Sequence, residues 1–181
     1  RTYDQQQWAH AFGVTQLAAR SDPTTAGSYA NYKWFTGQEP PAENSIGVIS
    51  PNPALFFSVV QSAGPNLTPE TFRDTLFGSE GTRPGISQPF LTYGDKGYWG
   101  GVADYQGVDD ATAFWWDPAA TGPDEIRRDG TGMYQYVDGG KRYLPGEWPT
   151  EDKLFNPDGA VAIYTTPPKG EEPGNYPSPA G

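Results

Sequence analysis

The chain holds a single histidine, His10, and no cysteine, so the residue types that most often do nucleophilic or zinc chemistry are nearly absent. His10 falls on the polar side of a short helical segment. It reads as an exposed helix residue, since a general base needs an oriented partner at hydrogen-bond distance. One histidine without cysteine also excludes the common zinc sites. Ser87 stands in Gly85-Ile-Ser-Gln-Pro89 and lacks the second glycine of a nucleophile elbow. Gly139-Gly140-Lys141 is too short a fragment of a phosphate loop. Asp and Glu together number 22, so a glycosidase-like acid pair is available by count, but sequence does not show which two converge. Asp104, Asp109 and Asp110 offer oxygen ligands for calcium without the alternating loop of a known calcium motif, and a solvated turn is the reading they favour. Trp99, Trp115 and Trp116 offer faces for sugar stacking; aromatic core packing is the plainer role. The expectation is a protein that is not an enzyme and holds no metal or cofactor.

The elements that would position any site centre on residues 52–78. Asn52 suits a helix cap, with Pro53 at the first helical position. Ala54, Leu55, Phe56, Phe57, Val59, Val60 and Ala63 cover most of the cylinder and leave a polar stripe of Ser58, Gln61 and Ser62. Such a helix is expected to be buried between layers. Gly64 and Pro65 stop it. Thr68 and Pro69 open a second helix, with Leu67 and Phe72 at the spacing of a hydrophobic staple and Gly78 at the end. Asn66-Leu67-Thr68 is formally a glycosylation sequon, discounted because Thr68 is occupied as a cap.

Upstream, residues 3–13 predict a short helix capped by Asp4, with Trp8 and Phe12 on its buried side, then a strand over 14–17. A further helix runs from about Pro23 to Phe35, capped by Asp22 and stopped by Gly37, with Ala26, Tyr29, Ala30 and Trp34 inward. Downstream the period changes. Strands are expected at 90–93, 112–116, 133–137 and 160–164, with Asp138-Gly139-Gly140 as a hairpin-type turn. Trp115 and Trp116, adjacent on a strand, must point to opposite faces. From Pro167 onward the proline- and glycine-rich tail cannot fold by itself and should lie extended, pinned along this subunit or a neighbour.

The formal charge of −10, from 12 basic and 22 acidic residues, makes nucleic acid and anionic membranes poor partners. Aromatic residues at 14%, with 23 glycines and 19 prolines, suit long ordered loops on a modest core and an extracellular setting. The chain opens at Arg1 without an initiator Met, which reads as a processed or partial protein.

Residues 53–64, 68–77, Leu91-Thr-Tyr-Gly-Asp-Lys-Gly97 and Asp109-Asp110-Ala-Thr-Ala-Phe-Trp-Trp-Asp117, in that order, resemble the C-terminal part of the type I periplasmic binding proteins. These are the branched-chain amino-acid-binding class that feeds ABC transporters. RTYDQQQWAHAFGV and YVDGGKRYLPGEWP look like a divergent actinobacterial branch. The resemblance implies an α/β fold: the C-terminal portion of a two-lobed binding protein over 1–166, loop-rich in its strands, followed by the extended tail 167–181. It implies capture of an amino acid or related small polar solute at the cell surface, a transporter permease as partner, and a second wall supplied by a missing N-terminal half or a neighbouring subunit. Pro51-Asn52-Pro53-Ala54 replaces the family's usual aromatic opening of the long helix, which leaves ligand class open. The residues nearest a surviving ligand wall would be Ser50 and Asn52, because helix N-termini present free N–H groups to an anion. For Asn52 simple capping is the competing role. One wall alone should bind weakly, since a clamshell works by favouring its closed state.

Overall fold

The computed structural model describes residues 4–25, 27–42, 46, 51–83, 85–123, 128–148, 152–172 and 174–180, with residues 23, 51 and 52 described in backbone only. It is a mixed α/β chain with a small three-stranded antiparallel sheet. The described residues divide into two compact units. One comprises 1–20, 85–89 and 109–164; the other comprises 21–84, 90–108 and 165–181.

The first unit is built on the sheet. Asp4 caps α1 (Gln5–Trp8), accepting from the backbone N–H of Gln6 and Gln7. The chain then turns into β1 (Phe12–Thr15), which pairs with β2 (Thr112–Pro123), and β2 pairs with β3 (Asp129–Tyr136). Phe12 lies opposite Trp115, and Trp116 opposite Tyr134. Between Asp117 and Thr121 the register shifts, and the Asp117 carboxylate fills the irregularity by accepting from Ala119 and Ala120 N–H. Trp115 and Trp116 are both buried on opposite faces, as the period of two requires. Trp115 packs with Ala113 and Val137. Trp116 is roofed by α1: its indole sits edge-on to Trp8 at 5.6 Å and to Tyr134 at 4.9 Å, and its N–H donates to Gln5 at 2.9 Å.

Several expectations fail in this unit, and the first strand covers Phe12–Thr15 rather than 14–17. Phe12 is not on the buried side of a helix but in β1 and 63% exposed. The Trp116 backbone N–H donates to the Ala11 carbonyl at 2.9 Å, so sheet pairing begins where helix would have continued. Residues 160–164 do not form a ladder strand; they touch β3 through one bridge, Tyr136 to Val161.

In the second unit a 3₁₀ turn (Pro23–Thr25), held by Asp22, precedes α2 (Gly27–Thr36). Gly37 stops α2 at φ +70°, as expected. Ala26 lies outside the described residues, and no residue of α2 is fully buried. The helix pair is present as α3 (Pro51–Ala63) and α4 (Pro69–Gly78), with Gly64 at φ +74° between them. Thr68 caps α4 in a reciprocal box with Thr71.

The expected burial of α3 is not found. Val59 is buried, but Phe56 and Phe57 are 51% and 66% exposed. Among the described residues α3 packs mainly against α4, where the Phe56 ring meets that of Phe72, tilted at 5.7 Å, and still leaves most of its area open. Residues 90–93 form isolated bridges, Thr82 to Leu91 and Leu91 to Val108, in place of a strand.

Candidate functional site

On α3, Leu55, Ser58, Val59 and Ser62 follow the i, i+3, i+4, i+7 spacing of one helix face. That face, the C-terminal half of α4 and the residues Ser79, Glu80, Thr82, Leu91 and Tyr93 enclose a groove of about 510 Å³, within the range of small-molecule sites. Its walls carry hydroxyls from Ser58, Ser62, Thr75 and Thr82 over an apolar surface of Leu55, Val59, Leu76 and Leu91. Among the described residues Glu80 is the one charged group that lines it, and no lysine, arginine or histidine does. Tyr93 closes one side, with its hydroxyl end seated against Gly107, whose φ is +86°. A side chain at 107 would collide with that ring, so the glycine permits the wall. Burial first, and the Asp104 carboxylate second, push the Tyr93 phenol above its usual range, so it stays protonated at neutral pH.

A second cluster lies in the sheet unit. After β3 the chain enters a tight turn (Val137–Gly140) in which Asp138 adopts the left-handed φ of +51°. Its carboxylate accepts from Tyr143 Oη at 2.9 Å and from Lys153 Nζ at 2.7 Å. The Lys153 hydrogen bond, and then the Tyr143 one, hold Asp138 below the usual carboxylate range. Tyr143 is pushed up to about 12, by burial first and then by Asp138. A phenol that resists ionisation donates to a carboxylate that resists protonation. Neither is poised to exchange a proton at neutral pH, and the arrangement is a strut for the turn rather than acid–base machinery.

Asp109 and Asp110 do not form a solvated turn. Both are buried, and Asp110 pairs with Arg142, whose Nε donates at 2.7 Å with neither side chain exposed. Arg142 also donates to the carbonyls of Gln16 and Leu17, each at 2.7 Å, and of Asp110 at 3.0 Å. Asp104 instead caps its own loop through Gln106 and Gly107 N–H. Among the described residues no group of three or more His, Asp or Glu gathers to hold a metal, and no helix is long and apolar enough to cross a membrane. His10 is exposed in the turn after α1. Ser87 is fully buried.

Of the residues expected at a ligand wall, Ser50 lies outside the described residues. Asn52 is the second residue of α3, one turn before Leu55, and not the residue before the helix; its side chain lies outside the described residues. The groove residues Glu80 and Tyr93 were missed from sequence. The polar stripe of Ser58 and Ser62 on an otherwise apolar helix was the available signal.

No family model, curated protein or solved structure matches this chain.

Proposed function

We propose that this chain is a solute-binding module that holds a small molecule in the groove between α3, α4 and residues 79, 80, 82, 91 and 93. The observation that carries the reading is the groove itself: an apolar wall with convergent hydroxyls and, among the described residues, one carboxylate and no cation. Such a lining suits a solute with an apolar body and hydroxyl, amide or ammonium groups, the last facing Glu80. A free amino acid or a related small polar solute meets that description.

The narrower reading is substrate capture for an ABC importer at the cell surface. It is supported by the resemblance in residue order and by the helix pair, with Thr68 capping α4, that bounds the groove. As the C-terminal portion of a two-lobed binder, the chain would need a permease partner and a second wall from elsewhere. Against that ancestry stands the sheet: crossover-built α/β lobes need parallel strands, and β1, β2 and β3 are antiparallel.

Calorimetry of the full chain against an amino-acid and amide panel tests the reading. One wall is expected to give weak binding, on the order of −4 kcal/mol or a millimolar Kd, abolished by Ser62→Trp. Absence of heat with every solute would remove the groove as a site, whereas a nanomolar Kd would remove the need for a second wall. A second reading, an assembly subunit without ligand, is favoured by exposed Phe56 and Phe57. Light scattering settles it: self-association abolished by Phe57→Lys supports assembly, and a monomer at all concentrations counts against it.

A further inference from the structure

The C-terminal tail contains no helix or strand among its described residues, yet residues 176–180 are held against α2 by directed polar contacts. The Trp34 indole N–H is shared between two successive carbonyls, Tyr176 O and Pro177 O, each at 2.9 Å. Ser178 Oγ donates to the Trp34 carbonyl. That carbonyl lies in the last turn of α2, where intrahelical donors run out. Gly37 N–H bonds back to Lys33 and Gln38 N–H takes the Thr36 hydroxyl, so neither of the residues after the helix serves Trp34. The tail hydroxyl does. Ala180 then reaches Gly37, within 3.5 Å of where a Cβ would stand.

The tail side chains contribute little to this seat. Tyr176 is 71% exposed, and the contacts run to backbone carbonyls and one serine hydroxyl. Pro177 and Pro179 fix the backbone that carries them, and an extended proline-rich segment loses little entropy on docking because it is already ordered. An aromatic residue presented to such a segment is a recurring mode of peptide recognition.

We propose that Trp34 and the C-terminal turn of α2 form a recognition site for an extended Tyr-Pro-Ser-Pro segment, occupied in cis by the chain's own residues 176–180. Recognition is by shape and backbone, with the serine as the one side-chain determinant. Because occupancy is intramolecular, the tail's effective concentration is in the millimolar range for a linker of ordinary reach. A site of modest intrinsic affinity is therefore filled.

The test uses full-length, ¹⁵N-labelled chain carrying Pro177→Gly, Ser178→Gly and Pro179→Gly, which disables the tail without shortening the protein. The probe is a synthetic peptide with the sequence of residues 174–181. Saturable movement of the Trp34 indole resonance is expected, with at least about tenfold weaker apparent binding to the unsubstituted chain, whose site is filled. Trp34→Phe in the disabled chain, read at the backbone amides of residues 33–38, should abolish the peptide-induced shifts, and a peptide with serine replaced by alanine should bind several-fold more weakly; the latter needs no change in the protein. No saturable shift in a disabled chain with an otherwise intact spectrum would overturn the proposal. So would equal binding of the peptide with both prolines replaced by alanine.

Discussion

Arg142 and Asp110 provide the sharpest quantitative test of how the sheet unit is held. The guanidinium donates to one carboxylate oxygen and three backbone carbonyls, and neither side chain of the pair is exposed. Two of those carbonyls, Gln16 and Leu17, belong to the segment that leaves β1, so this side chain ties the N-terminal strand to the loops at 110 and 142. Removing one partner leaves an uncompensated buried charge. Arg142→Met and Asp110→Ala should therefore each cost about 3–5 kcal/mol. An exposed pair would cost about 0–1 kcal/mol, so the two cases are well separated. Once one partner is gone the other's charge is already unsatisfied, and the double substitution should cost markedly less than the two singles added. For a chain of this size 4 kcal/mol corresponds to a fall in Tm of about 8–16 °C. Urea unfolding followed by tryptophan fluorescence at neutral pH supplies the cycle, with Trp116 and Trp115 as buried reporters. Singles that cost under about 1 kcal/mol, or that add without coupling, would refute the buried-pair reasoning.

Other outcomes follow from local geometry. Thr68→Ala removes the cap of α4 and should cost about 1 kcal/mol, read in the same unfolding assay. Gly132, at φ +94°, has no room for a Cβ because Trp116 and Gln5 occupy the space, whereas Gly146, at φ +88°, has nothing within 4 Å. Both alanine variants bear backbone strain of about 1 kcal/mol, and Gly132→Ala should be the worse by a further 1–3 kcal/mol or so; equal effects would mean that the helix roof yields freely. The Tyr143 pKa of about 12 lies above its unfolded value of about 10. Its contribution is then fully present below pH 10 or so and lost as pH rises through 12. Asp138 is depressed, so its contribution holds above the unfolded carboxylate pKa and fades as pH falls through the lower folded value. Tyr143→Phe should flatten part of the alkaline loss in urea titrations, with Tyr93 supplying a remainder of the same sign.

What was legible in the sequence was local. The Asp4 and Thr68 caps and the stops at Gly37 and Gly64 each need only a few neighbouring residues, and each stands where spacing put it; Asp22 holds the 3₁₀ turn Pro23–Thr25 instead, and α2 begins at Gly27. The opposed tryptophans followed from strand period alone. Long-range features escaped. Asp110 and Arg142 sit in loops that become neighbours only because Ala111 and Tyr143 bridge, and an acidic doublet before a strand looks solvated until its partner is known. Asp138-Gly139-Gly140 looked like a hairpin turn, and the left-handed Asp138 does fit turn chemistry; its role as an anchor for Tyr143 and Lys153 depends on contacts that spacing does not encode. Apolar coverage suggested deep burial for α3, but coverage measures what a helix could bury rather than what the chain supplies to cover it. The groove escaped for the same reason, since five of its twelve lining residues, Ser79, Glu80, Thr82, Leu91 and Tyr93, lie outside any helix or strand.

The pairing of Phe12 with Trp115 has a bearing on biosynthesis. The first strand leaves the ribosome long before its partner is translated; at roughly 5–20 residues per second the wait is on the order of 5–20 s. Throughout that interval Phe12 and Val14 have no ladder to join, and their row of amides and carbonyls is open to any other nascent chain. Holding by a chaperone, or export before folding, would each bridge the gap. Synonymous codon changes that slow translation between positions 20 and 110 should lower soluble yield without altering the finished molecule.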